Sequence, residues 1–207
     1  AASTSLFPYA SPFDSEGGRI EYPGGDDKVK NIVDEWEHSQ NERRMFRAIG
    51  SIYAQLDLGE MFVPLQGLKY RFNFGPDFRY YRNGTFRDEL SISSEGKNRA
   101  SLTNQSDFSW TLDNLIYYDR NFGKNSLGVT LLQSATGYHY EESSMAAEGI
   151  PLNSAKWNAL NKENISLLDD WGSGLIEKQL LSYMFRVNYD YDSKYLLTVS
   201  GRWDGAS

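Results

Sequence analysis

Few residues in this chain are of a type and spacing that could do covalent chemistry. The two histidines, His38 and His139, are far apart, no His-Glu-x-x-His occurs and there is no cysteine. A catalytic zinc centre, a thiol nucleophile and a disulfide scaffold are therefore excluded. Neither a Gly-x-Ser-x-Gly elbow nor a phosphate-binding glycine loop is present. Two adjacent carboxylate pairs remain, Glu141-Glu142 and Asp169-Asp170. Neighbours in a loop seldom make an acid/base pair, so they read as solvated charge, with a loop-bound Ca²⁺ as the alternative. Trp157 and Trp171 fall in the same long segment. They are candidates for stacking on a sugar ring or touching a partner, against plain loop packing. This is the pattern of a binding or transport protein without a cofactor, not of an enzyme.

The elements that position these residues are set by composition and period. The chain has 207 residues, a net charge of −7 and 30 aromatic residues (5 Trp, 14 Tyr, 11 Phe). Wholesale disorder would leave a chain poor in aromatics, and a nucleic-acid binder would carry a basic face. No apolar run reaches the ~18 residues of a membrane helix. Mean hydropathy is −0.58, which by itself reads as soluble. The first ten residues lack a basic region followed by an apolar one, so no signal peptide is read. Both termini look like cuts through a longer protein.

One segment has helical spacing: Val29, Ile32, Val33 and Trp36 within Asp26–Arg44, acids leading and arginines trailing. Residues 1–43 are expected to be an external loop carrying that helix. The rest alternates in period two. Leu68–Tyr81 puts Leu68, Tyr70, Phe72, Phe74, Phe78 and Tyr80 on one face and Lys69, Arg71, Asn73, Asp77 and Arg79 on the other, with Pro76 the one interruption. About 44–58, 107–119, 126–140, 179–191 and 194–204 read the same way. In the fourth of these six strands the alternation shifts after Leu131, which predicts a bulge that moves Tyr138 and Tyr140 to the apolar face. In 107–119, Asn114 falls on the apolar face.

Connections decide the architecture. Gly59–Gly67, Arg120–Asn125 and Asp192–Lys194 are short; 82–106 and 141–178 are long. Short and long alternate, so in an up-and-down sheet all short turns lie at one end. A soluble sandwich has no reason for that asymmetry, whereas an outer-membrane barrel does. At ~3.3 Å per residue and ~45° tilt, ten residues climb roughly 23 Å, close to the ~25 Å apolar band of such barrels. Tyr and Trp near strand ends fit interfacial girdles. The expected class is all-β, a transmembrane antiparallel up-and-down barrel. Phe72, Phe74, Phe185, Val187, Leu197 and Val199 would face lipid. Arg71, Asn73, Asp77, Arg79, Arg186, Asn188 and Arg202 would face the lumen. Asn-x-Ser/Thr triplets at Asn83, Asn104 and Asn164 are then chance matches, because the setting is bacterial.

At this point the residues resemble a family. Tyr183–Ser207, YMFRVNYDYDSKYLLTVSGRWDGAS, is similar to a strand–turn–strand of SusC/RagA-type TonB-dependent outer-membrane transporters. Gly67–Gly75 resembles the strand after a periplasmic turn, and Leu112–Leu115 through Phe122–Leu127 the following hairpin. The closing Asp204-Gly205-Ala206 departs from the family's Asp-Gly-Ser, and no plug domain or TonB box is in the chain. The resemblance implies a six-strand portion of a barrel of roughly 22 strands in the bacterial outer membrane. It implies coupling to TonB, a SusD-like surface lipoprotein as partner, and oligosaccharide or peptide cargo. The long loops with Trp157, Asp169, Asp170 and Trp171 would then meet substrate or that lipoprotein. Alternatives are a soluble or surface-exposed β-sandwich binding module, a TonB-dependent siderophore transporter and a secretion pore.

Overall fold

The computed structural model describes residues 9–25, 31–91, 94, 96–151, 153–161 and 164–207. After a helix α1 (Ile32–His38) come β1 (Ser39–Ile49), β2 (Ile52–Asp57), a one-turn helix α2 (Leu58–Met61), β3 (Leu68–Arg87), β4 (Arg99–Phe122), β5 (Asn125–Glu148), β6 (Leu167–Tyr191) and β7 (Tyr195–Ala206). The strands form one sheet in the order β1-β3-β4-β5-β6-β7, with β2 also alongside β3. This is the expected meander: β1 and β2 both pair with β3, and from β3 on each strand pairs with the next, with no crossover among the described residues. β2 runs antiparallel to β3 and β6 to β7, with Ile52 opposite Phe74 and Val187 opposite Val199.

The strand read as 44–58 is split into β1 and β2 at Gly50-Ser51. The cause lies across the ladder. Pro76 has no N–H to offer, and Gly50 N–H donates to Pro76 O at 2.9 Å. The later strands overrun their expected ends: β3 to β6 are 20, 24, 24 and 25 residues long. The expected loops 82–106 and 141–178 shrink to residues 88–98 and 149–166. The added stretches are rich in Asn, Ser, Thr and Gly, so the backbone ladder continues where the apolar alternation that reveals a strand has faded. Helix α1 is shorter than the expected 26–44, of which residues 26–30 lie outside the described ones. Its cap is Asn31, whose Oδ1 accepts from Val33 N–H while Nδ2 donates to Pro12 O and Ile20 O. Arg43 and Arg44 belong to β1, drawn into the sheet by pairing with β3. Trp36 is 85 % exposed, so the helical spacing does not mark a core face.

The chain divides into two compact units. One comprises Ala1–Met45, Tyr81–Gln105 and Glu142–Gly174; the other comprises Phe46–Tyr80, Ser106–Glu141 and Leu175–Ser207. Every buried hydrophobic side chain among the described residues belongs to the first: Phe86, Ala100, Ala147, Ile150, Trp157 and Ala159. In the second, the apolar strand faces remain open, with Leu197 60 % and Trp203 66 % exposed. A sandwich would bury those residues under a second sheet, and this unit has none among the described residues.

The second unit holds all three short connections. Gly67 closes the first with φ +90°, and a Cβ there would lie 2.1 Å from Asp119 O. Asp119 N–H also donates to Gly67 O at 2.9 Å. Gly67→Ala is expected to break this join through both strain and collision. In the full-length protein this would appear as a smaller fraction resisting SDS without heating.

Candidate functional site

The second unit sorts its side chains into two faces. On the apolar one, Phe46 meets Phe78 and Phe185 meets Trp203, with ring centroids 6.5 and 5.9 Å apart. Asn114 does lie there, but its needs are met sideways. Tyr70 Oη donates to Asn114 Oδ1 at 2.6 Å, and Asn114 Nδ2 donates to Gln133 Oε1 at 2.7 Å. The amide is therefore carried as a link across three strands.

The opposite face carries an alternating charge ladder. Arg47 forks onto Asp77, Nε at 3.0 Å and Nη2 at 2.7 Å. Arg79 forks onto Asp107 at 2.8 and 3.0 Å, and Tyr138 Oη donates to Asp107 Oδ1 at 2.9 Å. These residues and Ser109 line a hollow of about 270 Å³. Bidentate guanidinium–carboxylate pairs fix geometry as well as charge. Both carboxylates are engaged, so the ladder is a polar wall rather than an acid/base device.

Tyr138 stands on this polar face, which corrects the expected bulge. β5 is one uninterrupted strand, and Ser134 Oγ bonds Asp113 Oδ1 at 2.6 Å on the same side as Tyr138. The phenol satisfies the parity because its hydroxyl has a carboxylate to donate to. The lumen-facing set expected from sequence holds Asp77 and Arg79 but leaves out their partners Arg47, Asp107 and Tyr138. Strict parity through β5 would have found Tyr138.

The remaining polar-face residues form smaller groups. Arg71 Nε donates to Asn73 Oδ1 at 2.9 Å, and its guanidinium lies 4.6 Å from the Tyr53 ring centre. Arg202 donates to Asp204 Oδ1 at 2.8 Å, and Ser182 Oγ donates to the same oxygen. Asn188 Oδ1 accepts from Thr198 at 3.0 Å, and Arg186 is exposed.

Asp169, Asp170 and Trp171 are not loop residues, because β6 begins at Leu167. Adjacent carboxylates on a strand point to opposite faces. Glu141 and Glu142, on β5, show the consequence: Glu141 pairs with His139 while Glu142 accepts from Gln105. Among the described residues no three His, Asp or Glu are grouped to hold a metal ion.

The two tryptophans part company in the first unit. Trp157 is 6 % exposed and packs with Phe86, Ala100, Ile150 and Ala159. Trp171 is 75 % exposed. Segments 88–98 and 149–166 are strapped together: Gly149 N–H donates to Asn98 O, and Asn98 Nδ2 donates to Ile150 O and Asn153 Oδ1. Glu148, at the end of β5, takes Lys97 at 2.9 Å and Arg99 at 2.6 Å. The Lys97 hydrogen bond and the Arg99 charge hold its carboxyl below the usual range.

No protein-family model matches the chain. In sequence it is similar to TonB-dependent receptor P26 of Formosa agariphila, 29 % identical over 209 residues, covering 95 % of this chain and 20 % of the relative. TonB-dependent receptor P3 of the same organism is 26 % identical over 144 residues, 69 % of this chain and 14 % of the relative. In fold it is similar to the RagAB peptide transporter, with a TM-score of 0.75 at 18 % identity over 94 % of this chain and 22 % of that one. The RagAB peptide importer in its open-open state gives 0.74 at 19 %, over 95 % and 21 %. The chain spans about a fifth of the length of the receptor P26 that it matches. It is similar to a segment of the β-barrel of SusC/RagA-type TonB-dependent outer-membrane transporters, and its place is the outer membrane. Its relatives are receptors and transporters, not enzymes.

Trp157 owes its seat to Gly84, where a Cβ would come within 2.4 Å of the indole. Gly84→Ala is expected to lift the ring and loosen residues 155–160. In the full-length protein, hydrogen exchange should quicken there by at least tenfold and stay unchanged in β7.

Proposed function

We propose that the chain is a stretch of barrel wall in a TonB-dependent importer of oligosaccharides or peptides. The observation that carries this is the sorting of the second unit. It has an apolar face with no covering layer among the described residues and, behind it, a ladder of forked Arg–Asp pairs. Lipid is the medium that suits the first face and a hydrated lumen the second. The likeness to TonB-dependent receptors supplies the energy source. The structural neighbours, a peptide transporter and a peptide importer, support cargo of that kind. Segments 9–25 and 149–166 would lie outside the cell and meet a SusD-like surface lipoprotein. No observation favours the siderophore reading.

The transport claim is tested in cells. Uptake through the full-length receptor should disappear when TonB is deleted, and persistence of uptake would overturn it.

Orientation has its own measurement. Val187→Arg should destabilise the receptor in lipid vesicles by about 2–4 kcal/mol if position 187 lies near the midplane, and Asn188→Arg by far less. Denaturant titration of the two variants reads the difference. The reverse ranking would exchange the two faces. For the partner, replacing residues 153–161 with a Gly-Ser linker should leave the receptor in the outer membrane while the lipoprotein no longer co-purifies.

A further inference from the structure

The apolar face of the second unit carries a trough of about 450 Å³, a volume that suits a ligand. Ile116 and Leu131 line it from β4 and β5, Phe185 and Trp203 from β6 and β7. Phe185 leans away towards β7 because Gly201 has no side chain. The ring lies so close over it that a Cβ there would meet Phe185 at 2.5 Å, and its centre is 5.9 Å from that of Trp203. The lining is not wholly apolar. Tyr70, Asn114 and Gln133 belong to it, joined by the hydrogen bonds that run from phenol to amide to amide. That link ends open. Gln133 accepts from Asn114 through Oε1, but its NH₂ donates to nothing among the described residues.

Depth decides what could meet this donor. Leu112 and Ile116 flank Asn114 on its face of β4, and Leu131 and Ala135 flank Gln133 on its face of β5. The open amide therefore lies within the apolar band and not at its rim. In hydrocarbon no water reaches it, and an unpaired donor is costly unless its partner arrives with the lipid. The ester groups of an ordinary phospholipid stay at the rim with the headgroup. A hydroxyl carried on the acyl chain lies deeper, and its oxygen accepts. We propose that the trough binds a lipid with a hydroxylated acyl chain, the chain lying along Leu131 and the hydroxyl oxygen accepting from Gln133 Nε2. The assignment rests on the reading of this face as turned to lipid.

The test titrates the full-length protein, purified in detergent, with phosphatidylcholines that differ only in one chain. That chain is stearoyl, or stearoyl with a hydroxyl near its carboxyl end or at mid-chain. Native mass spectrometry counts the lipid retained. Wild type is expected to retain one of the hydroxylated lipids about fivefold better than the plain one, as a single net hydrogen bond allows. Gln133→Leu should bring the lipids to parity, and so should Gln133→Met, which guards against a leucine variant that does not fold. No preference in wild type, or a preference that survives both substitutions, would overturn the proposal. A benzophenone side chain placed at Leu131 and irradiated in native outer membranes identifies the occupant. An adduct of lipid mass is expected. An adduct of protein mass, whether a second copy or another partner, would overturn the assignment. The reverse ranking of Val187→Arg and Asn188→Arg would overturn both the lipid-facing reading and this site, whereas a missing preference with that ranking intact fails this site alone.

Discussion

In hydrocarbon a peptide group has no water to bond, so every N–H and C=O must find its partner within the protein. The structure of this chain follows from that constraint. A sheet satisfies it only if each strand has a neighbour on both sides, which is why the chain runs as an unbroken meander. It is also why Pro76 has a consequence a strand away. The missing donor falls opposite Gly50-Ser51, and there the neighbouring strand is interrupted. Once the backbone is fixed, side chains have only two directions to take, and every chemical property of the wall follows from parity.

Parity was legible in the sequence wherever one direction meets an apolar medium. Leu68–Tyr81 and Tyr195–Asp204 read as strands from their residues alone, and the pairing order followed from connection lengths. The reading ended where hydrophobic contrast ended. Residues 82–87, 99–106, 141–148 and 167–178 are strand in the structure yet carry mixed or polar residues in both directions. A ladder bonded through its backbone does not need that contrast. The same backbone pairing explains why the helix is shorter than its spacing predicts: Arg43 and Arg44 suit a helix C-terminus, but pairing with β3 outweighs a dipole effect of a few tenths of a kcal/mol.

The candidate site was half legible for a related reason. Sequence can place Asp77 and Arg79 on one face, because that takes only counting. It cannot name Arg47, Asp107 and Tyr138 as their partners, because that takes register. Tyrosine compounds the difficulty, since an amphipathic ring is at home on either face and only its hydroxyl's partner settles which. The tryptophans make the same point from the loop side. Their types are identical, but Gly84 leaves space beneath Trp157 and nothing covers Trp171 to a comparable degree.

The polar ladder also bears on selectivity. Arg47, Asp77, Arg79 and Asp107 sum to zero charge, and each guanidinium is already held by a carboxylate through two bonds. On the proposed orientation, such a wall keeps water in the lumen without attracting either sign of cargo strongly, because each charge is compensated within a few ångströms. It is also stiff: a forked pair cannot swing to a passing ligand without giving up both of its bonds.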